Sequence, residues 1–197
     1  MGLILGLPEY FCRPTDENGD PILYKDLNPR VYMDLGTAAG DYLGRVIFRL
    51  SLQTHPKFVE NFRQLCIGKN KFMGQKLCYK GSYLHEISTK NGIICGGDLQ
   101  YKNGCGGCSN IPPNFVDNQI GLKPRRGSLC MLNQSHKSNR FDSQFFILTQ
   151  DPEKLEDGVA FGFVEEGMEI LDQIQHKFGN ASGYPFEPII ILDCDQF

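Results

Sequence analysis

The chain contains no tryptophan, no excess of positive charge and no long hydrophobic run. Its formal charge of -3 at pH 7 leaves no basic footprint, so we expect no nucleic-acid partner. The longest apolar runs, such as residues 188–192, fall far short of the ~18 residues of a membrane-spanning helix, so we expect no membrane partner. No secretory signal is recognisable. The expected location is therefore cytoplasmic, including a place within a cytoskeletal or other large intracellular assembly.

The eight cysteines are expected to be reduced thiols rather than a disulfide framework, because no secretory signal accompanies them. Cys105 and Cys108 have the spacing of a redox pair or of half a zinc site. Cys95 could add a third thiolate, but no fourth ligand lies close in sequence, and no helical pattern follows the pair as thioredoxin-type chemistry requires. Inert thiols are favoured over a redox pair or a metal site, and we expect no metal and no cofactor.

A chain of 197 residues fits one domain. Residues 1–28 show neither helical nor strand periodicity, so they are interpreted as an N-terminal extension to a domain at 29–197. Val31, Met33 and Leu35 alternate with polar residues, which predicts a strand, and a turn at 38–41 leads to a second strand at 45–50.

Two helices are predicted. Thr54 can cap the first, Pro56 suits its first turn, and apolar residues recur at helical spacing until Gly68. The second helix covers about 168–177 and stops at Gly179. Short strands separated by glycine-rich loops are predicted at 82–87, 92–97, 128–132, 144–148, 159–164 and 188–193, the last of them fully buried. Many short strands with two helices predict a mainly β, closed barrel whose ends the helices cover.

Several segments, in order along the chain, resemble the cyclophilin family of peptidyl-prolyl cis-trans isomerases. They include Glu-Asn-Phe-Arg at 60–63, Tyr-Lys-Gly-Ser at 79–82, Leu-His-Glu-Ile at 84–87, Gly-Gly-Asp at 96–98 and Ser-Gln-Phe-Phe-Ile at 143–147. The resemblance runs from about Asn28 to Phe197. It implies an eight-stranded antiparallel barrel capped by two α-helices, with a peptide groove on its outer surface.

Members of that family speed the rotation of X-Pro peptide bonds and so assist protein folding. The intrinsic barrier is ~18–20 kcal/mol because amide resonance is lost as the bond twists. In the family, an arginine donates a hydrogen bond to the proline nitrogen, whose lone pair becomes free only in the twisted state. Such a donor stabilises the transition state selectively.

The resemblance places Glu86 at the position of that arginine. An ionised glutamate accepts hydrogen bonds and cannot donate one, and losing one such donor costs on the order of 10²–10³ in rate. The alternative is that Glu86 is an ordinary surface residue of a strand. Lys90, in the loop that follows, could act as a substitute donor. His85 is interpreted as a hydrogen-bonded structural histidine.

The next stretch also departs from the family pattern. Reading back from the glycines at 96–97 places Cys95 at a family glutamine, Ile93 at a methionine and Gly92 at an aromatic residue. Residues 86–98 contain no aromatic, glutamine, methionine or arginine under any alignment.

On the other wall, Asn133, Gln144 and Phe146 match a backbone-binding asparagine, a groove glutamine and the aromatic floor of the proline pocket. Phe146 could alternatively be a core residue alone. Leu155 keeps a family leucine, whereas Leu132 replaces a small residue.

Two further family residues are missing. Lys154 stands for a tryptophan, and Gly158 falls near a histidine. Because the chain has no tryptophan, and no histidine between His136 and His176, these losses hold under any alignment and cyclosporin binding is not expected.

These losses predict a cyclophilin-fold pseudoenzyme with little or no isomerase activity, acting as a protein-binding or structural subunit of a larger assembly. Its partner would be a protein, through a proline-containing segment in the groove or through an assembly that contacts residues 1–28. The alternative is an active but weakened isomerase that uses Asn133, Gln144 and Phe146. A third hypothesis makes Cys105 and Cys108 a redox or zinc switch.

Overall fold

The computed structural model describes residues 28–69, 71–72, 75–108, 121–133, 141–155 and 157–197. The predicted N-terminal extension therefore lies outside the described residues, apart from Asn28. The strands and helices in chain order are β1 Arg30–Thr37, β2 Tyr42–Leu50, α1 Pro56–Ile67, β3 Lys71–Phe72, β4 Gln75–Lys76, β5 Tyr83–Leu84, β6 Glu86–Ser88, β7 Ile93–Gly96, β8 Ser128–Asn133, β9 Phe141–Leu148, β10 Gly158–Glu166, α2 Met168–Phe178 and β11 Ile189–Gln196.

Nine of the described strands form one antiparallel sheet, in the order β5–β11–β1–β2–β10–β8–β9–β7–β6. The two strands at its ends, β5 and β6, follow each other in the chain with only His85 between them. One segment thus pairs with β11 on one side and with β7 on the other, which closes the sheet. The mainly β barrel with two helices is confirmed. The count is nine rather than eight because the strand predicted at 82–87 is interrupted at His85.

The barrel interior is filled by aliphatic and aromatic side chains, and each helix buries one face against it. Helix α1 inserts Phe62, whose ring lies 5.0 Å from that of Tyr79 and 5.4 Å from those of Phe145 and Phe161. Each such buried ring contributes roughly 1.5–3 kcal/mol through the loss of water contact. Helix α2 buries one face through three residues, Leu171, Ile174 and Phe178.

The helix ends agree with the prediction except at one cap. Helix α1 has Pro56 in its first turn and ends at Gly68, whose φ of 67° suits glycine and whose N–H donates to the Gln64 carbonyl at 2.8 Å. Its N-cap is His55, so the prediction that Thr54 caps this helix is wrong. Thr54 lies one residue too early, and its hydroxyl donates to the Ser51 carbonyl at 3.2 Å.

The last strand, β11, is not fully buried as predicted. Ile189 and Ile191 face the core, while Ile190 and Leu192, which alternate with them, are half-buried on the other face. Leu192 packs over Gly36 of β1, and this contact explains an apolar residue on the outer side. The short hairpin of β3 and β4 was not predicted. Among the described residues, no helix is long and apolar enough to cross a membrane.

Candidate peptide groove

A row of paired residues crosses the outside of the barrel from β6 to β8. Glu86 pairs with Cys95, Cys95 with Phe146, and Phe146 with Cys130. Directly paired residues lie on the same face of a sheet, and neighbouring strands are about 4.8 Å apart. Glu86 and Phe146 are therefore two strand spacings, about 10 Å, apart. The residues that alternate with this row fill the barrel core: Ile87, Ile94, Phe145, Ile147 and Leu129.

A groove of about 750 Å³ covers this outward-facing row. Three of the predicted groove residues, Gln144, Phe146 and Leu155, line it, together with Glu86 and Cys95. Asn133, also predicted for the groove, is at the end of β8, where its N–H donates to the Asp157 carbonyl at 2.9 Å. The adjacent Leu132 is a lining residue. The register thus places Glu86, Cys95 and Phe146 side by side on one face of the sheet.

Glu86 and Cys95 form the centre of this groove. Cys95 exposes only 3% of its surface, and its thiol donates a hydrogen bond to the Glu86 carboxylate. Burial, followed by the charge and hydrogen bond of Glu86, raises the pKa of the Cys95 thiol well above its usual value. A β-carbon on Gly183 would lie 3.1 Å from Glu86 Oε1, so the carboxylate rests against this glycine. The Ile87 N–H holds the Gly183 carbonyl at 2.7 Å.

Glu86 forms no ion pair with a described residue. Lys90, considered as a substitute donor, is exposed in the turn between β6 and β7 and is not among the described lining residues. Lys154 does line the groove, from the segment that follows β9. The centre of the groove therefore presents a hydrogen-bond acceptor, the Glu86 carboxylate.

Phe146 forms the floor of the other half of the groove. It belongs to a small apolar cluster outside the barrel core, with Cys130, Leu148 and Ala160, and Leu155 packs against this cluster. Phe146 is only 5% exposed and also lines the groove, so it is both a buried packing residue and part of the groove floor.

Gly158 lies directly against the Phe146 ring. A β-carbon at Gly158 would be 2.5 Å from Phe146 Cε1. The ring therefore occupies the space that any larger residue at 158 would need.

The glycine-rich segment 98–108 is organised by Asp98, a residue for which the sequence suggested no role. Its carboxylate accepts backbone hydrogen bonds from five residues, at 2.9–3.2 Å: Gln100, Tyr101, Asn103, Gly104 and Gly106. Burial alone would raise the pKa of Asp98, but these N–H groups outweigh it and lower that pKa to about 2. An aspartate directly before a glycine-rich loop was the available signal, because short loops of this kind need an acceptor for their N–H groups.

Gln144 ties the same loop to the groove. Its Nε2 donates to the Gly104 carbonyl at 3.0 Å and also to the Gly106 carbonyl. Because two carbonyls face the amide nitrogen, the amide orientation is fixed and Oε1 can only accept. Oε1 is buried and has no hydrogen-bond partner among the described residues.

His85 lies beside this loop and lines the groove. A β-carbon on Gly104 would be 2.9 Å from its Cδ2. Its Nδ1 is buried without a hydrogen-bond partner among the described residues, so the interpretation of His85 as a hydrogen-bonded structural residue is wrong for this atom. Burial lowers the pKa of His85, against a smaller opposite effect of the Asp98 charge.

The two cysteines of the predicted redox pair lie in different environments. Cys105 is exposed and lines the groove, whereas Cys108 packs in the barrel core and donates its backbone N–H to Ser143 Oγ at 3.0 Å. The seven cysteines of the described ranges are free thiols. No group of three or more metal-ligating side chains occurs within those ranges. A redox or metal role of Cys105 and Cys108 stays a prediction.

The chain belongs to the cyclophilin family. Residues 32–196 match the family described as cyclophilin type peptidyl-prolyl cis-trans isomerase/CLD. The NK-tumor recognition proteins of Mus musculus and Homo sapiens are each 39% identical to it over 158 residues, or 77% of this chain. The match covers 11% of the mouse relative and 10% of the human one, so the chain spans about a tenth of their length. The family resemblance inferred from the sequence is confirmed.

Proposed function

We propose that this chain is a cyclophilin-fold binding module that holds a protein segment in its outer groove, with little or no prolyl isomerase activity. The observation that carries this proposal is the Glu86–Cys95 pair. By the sequence resemblance, these two residues correspond to the family's arginine and glutamine. A carboxylate that already accepts a thiol hydrogen bond offers nothing to the lone pair of a twisting proline nitrogen.

The electrostatic effect of Glu86 has the wrong sign for isomerisation. Twisting the X-Pro bond concentrates electron density on nitrogen, and a negative group nearby disfavours that state. Catalysis requires interactions that are stronger in the transition state than in the ground state. The interaction of the Glu86 carboxylate with the peptide becomes less favourable as the X-Pro bond twists. Glu86 therefore favours binding over turnover.

The rest of the groove supports binding. Its volume of about 750 Å³ is in the range of ~300–1,000 Å³ typical of ligand sites, and Phe146 and Leu155 provide an apolar floor. We propose a protein partner, either a proline-containing segment in this groove or a larger assembly in which the chain is a structural subunit that residues 1–28 help to attach. A cytoplasmic location suits the free thiols of the described cysteines.

A weakened isomerase is the second candidate. It is favoured by the retention of Phe146, Gln144 and Leu155 along one wall of the groove. Phe146 could hold the proline ring while the X-Pro bond twists, without help from a cation.

The experiment that separates the two is an isomerisation measurement by NMR exchange on a proline peptide, at several micromolar protein, beside an active family member. We expect a rate constant at least about 100-fold lower than that of the active protein. Glu86→Arg should raise it less than tenfold, because Cys95, Lys154 and Gly158 still depart from the family pattern. Glu169→Arg, an exposed position on α2, controls for net charge.

The same NMR samples report binding. Chemical-shift changes at Phe146 and Leu155, together with slow cis/trans isomerisation of the peptide, support the binding module. A rate near that of the active family member overturns it, and an intermediate rate that Phe146→Ala abolishes establishes the weakened isomerase instead. A groove that responds to no peptide also overturns the proposal.

A further inference from the structure

We infer that the groove selects peptides that carry a lysine or arginine about three residues from a proline or other apolar residue. The cation would bind at Glu86 and the apolar residue on Phe146. This inference rests on the proposed function and names the class of segment that the groove takes.

The first support is charge. The Glu86 carboxylate is half-exposed in the groove and forms no ion pair among the described residues. The described lining holds two carboxylates, Glu86 and Asp157, against a single ammonium group, that of Lys154. The other titratable groups that face the groove are His85, Cys95, Cys105 and Tyr184. Carboxylates therefore outnumber ammonium groups in the described lining, and a cationic ligand complements this excess of negative charge.

The second support is an exposed aromatic ring beside the carboxylate. Tyr184 follows Gly183, the glycine on which Glu86 rests, and it lines the groove while 77% exposed. Its backbone is held by a turn in which Asn180 Oδ1 accepts the N–H groups of Ser182 at 2.8 Å and Gly183 at 2.9 Å. An exposed aromatic ring in the same groove as a carboxylate gives an ammonium or guanidinium group a second group to bind.

The third support is the unpaired acceptor of Gln144. This side chain is 1% exposed, it lines the groove, and its Oε1 lacks a partner among the described residues. A buried acceptor without a donor is costly, and a ligand that brings a donor removes that cost. Glu86 and Gln144 each contribute a hydrogen-bond acceptor to the groove, which favours ligands that carry donors.

The spacing of the two subsites follows from the sheet register. Glu86 and Phe146 are two strand spacings apart, about 10 Å. An extended peptide advances about 3.3–3.6 Å per residue. A cation on Glu86 and an apolar residue on Phe146 therefore belong to residues about three positions apart in the ligand.

The test uses fluorescein-labelled nonapeptides of Gly and Ser that contain one proline and one arginine three positions apart, in both orders. Matched peptides replace the arginine by citrulline, which keeps its shape without the charge, or by glutamate. Anisotropy titrations at low and high salt measure the dissociation constants. We expect the arginine peptide in one order to bind about tenfold more tightly than its citrulline partner, with the difference reduced by salt.

Variants assign the effect to the groove. Glu86→Gln should remove the preference for arginine over citrulline, and Glu86→Arg should shift it to the glutamate peptide. Glu169→Gln, the matched loss of one exposed carboxylate on α2, should leave the preference unchanged. Tyr184→Ala should reduce it about threefold. A two-dimensional NMR spectrum of each variant confirms that it is folded.

Two results would overturn this inference. One is equal affinity of wild type for the arginine and citrulline peptides. The other is a charge preference that survives Glu86→Gln, which would place the cation elsewhere. In both cases the peptides still bind at Phe146, so the proposed binding function stands. Failure of every peptide to perturb the groove residues, in contrast, overturns the proposed function itself.

Discussion

Gly158 supports the ring of Phe146 so closely that a β-carbon at 158 would lie 2.5 Å from Phe146 Cε1 and 2.7 Å from the Met131 carbonyl oxygen. Both contacts are far below van der Waals separation. The packing around position 158 therefore leaves no room for a side chain, and the groove floor depends on a residue without one.

Substitution of Gly158 should accordingly destabilise the protein. We expect Gly158→Ala to lower the free energy of unfolding by about 1–3 kcal/mol through overpacking, and Gly158→His by at least as much without restoring isomerase activity. Urea unfolding measures the change. Phe146→Leu made in the Gly158→Ala background should cost less than in wild type, because the smaller side chain relieves the contact. Additive effects of the two substitutions would contradict this explanation.

Asp98 should be essential to the loop at 98–108. In the wild-type protein, the Asp98 carboxylate oxygens accept hydrogen bonds from backbone N–H groups. Asp98→Asn would place an NH₂ group, itself a donor, against some of these N–H groups. We expect a loss of about 1–3 kcal/mol in the free energy of unfolding at pH 7. Peptide binding should weaken as well, since Gly104 and Cys105 of this loop line the groove. Glu169→Gln, which changes the same charge on an exposed helix surface, serves as the control.

The same carboxylate predicts a pH dependence. The folded-state pKa of Asp98 is lowered to about 2, against about 3.9 in an unfolded chain. Its contribution is therefore complete above about pH 4 and is lost as pH falls toward 2. The stability difference between wild type and Asp98→Asn, measured by urea unfolding at several pH values, should be constant from pH 7 to 5 and shrink below 4. A difference that grows on acidification would contradict the assignment.

Gln144→Met should loosen the glycine-rich loop without disturbing the barrel. Methionine keeps the length of the side chain but cannot donate to the Gly104 and Gly106 carbonyls. Hydrogen exchange should accelerate at the amides of residues 100–106 and stay unchanged in β9 and β1. Uniform acceleration across the domain would show that Gln144 supports the whole fold rather than this loop.

The thiols of Cys105 and Cys108 should differ in reactivity. Cys105 is exposed, whereas Cys108 is in the core and burial raises its pKa. Because the thiolate is the nucleophile, we expect a maleimide to modify Cys105 at least tenfold faster in the native protein, as followed by peptide mass mapping. Equal rates would show that the segment opens readily, and would favour the redox interpretation of the pair.

The alternation of Val31, Met33 and Leu35 was sufficient to predict β1, and the helical spacing around Phe62 was sufficient to predict α1. The break at His85 was not predictable, because one segment pairs with two different strands and only the closed sheet defines where each pairing stops. The prediction of Thr54 as the cap was wrong because Thr54 precedes the capping position by one residue. A threonine hydroxyl can be satisfied either at a helix cap or in a turn, and here it donates to the Ser51 carbonyl.

In the groove, too, some features could be predicted from the sequence and others could not. Glu86 and Cys95 could be placed beside each other from the sequence because the glycines that follow Cys95 anchor the family resemblance. The role of Asp98 was not predicted: its five N–H donors come from a loop without periodicity, and only its place directly before that glycine-rich loop indicates an acceptor. The unpaired Oε1 of Gln144 likewise depends on which way an amide faces, and composition carries no information on that.

The seam at His85 has a consequence for how the site is assembled during folding. Tyr83 and Leu84 pair with residues 190 and 189, more than a hundred positions away in sequence, so this pairing forms only after most of the chain has condensed. Glu86 follows directly on the seam and Gly183 contacts it from the far end of the chain. The charged centre of the groove is thus incomplete until the barrel has closed. A ligand that requires this centre would bind the fully folded chain and not a partly folded one.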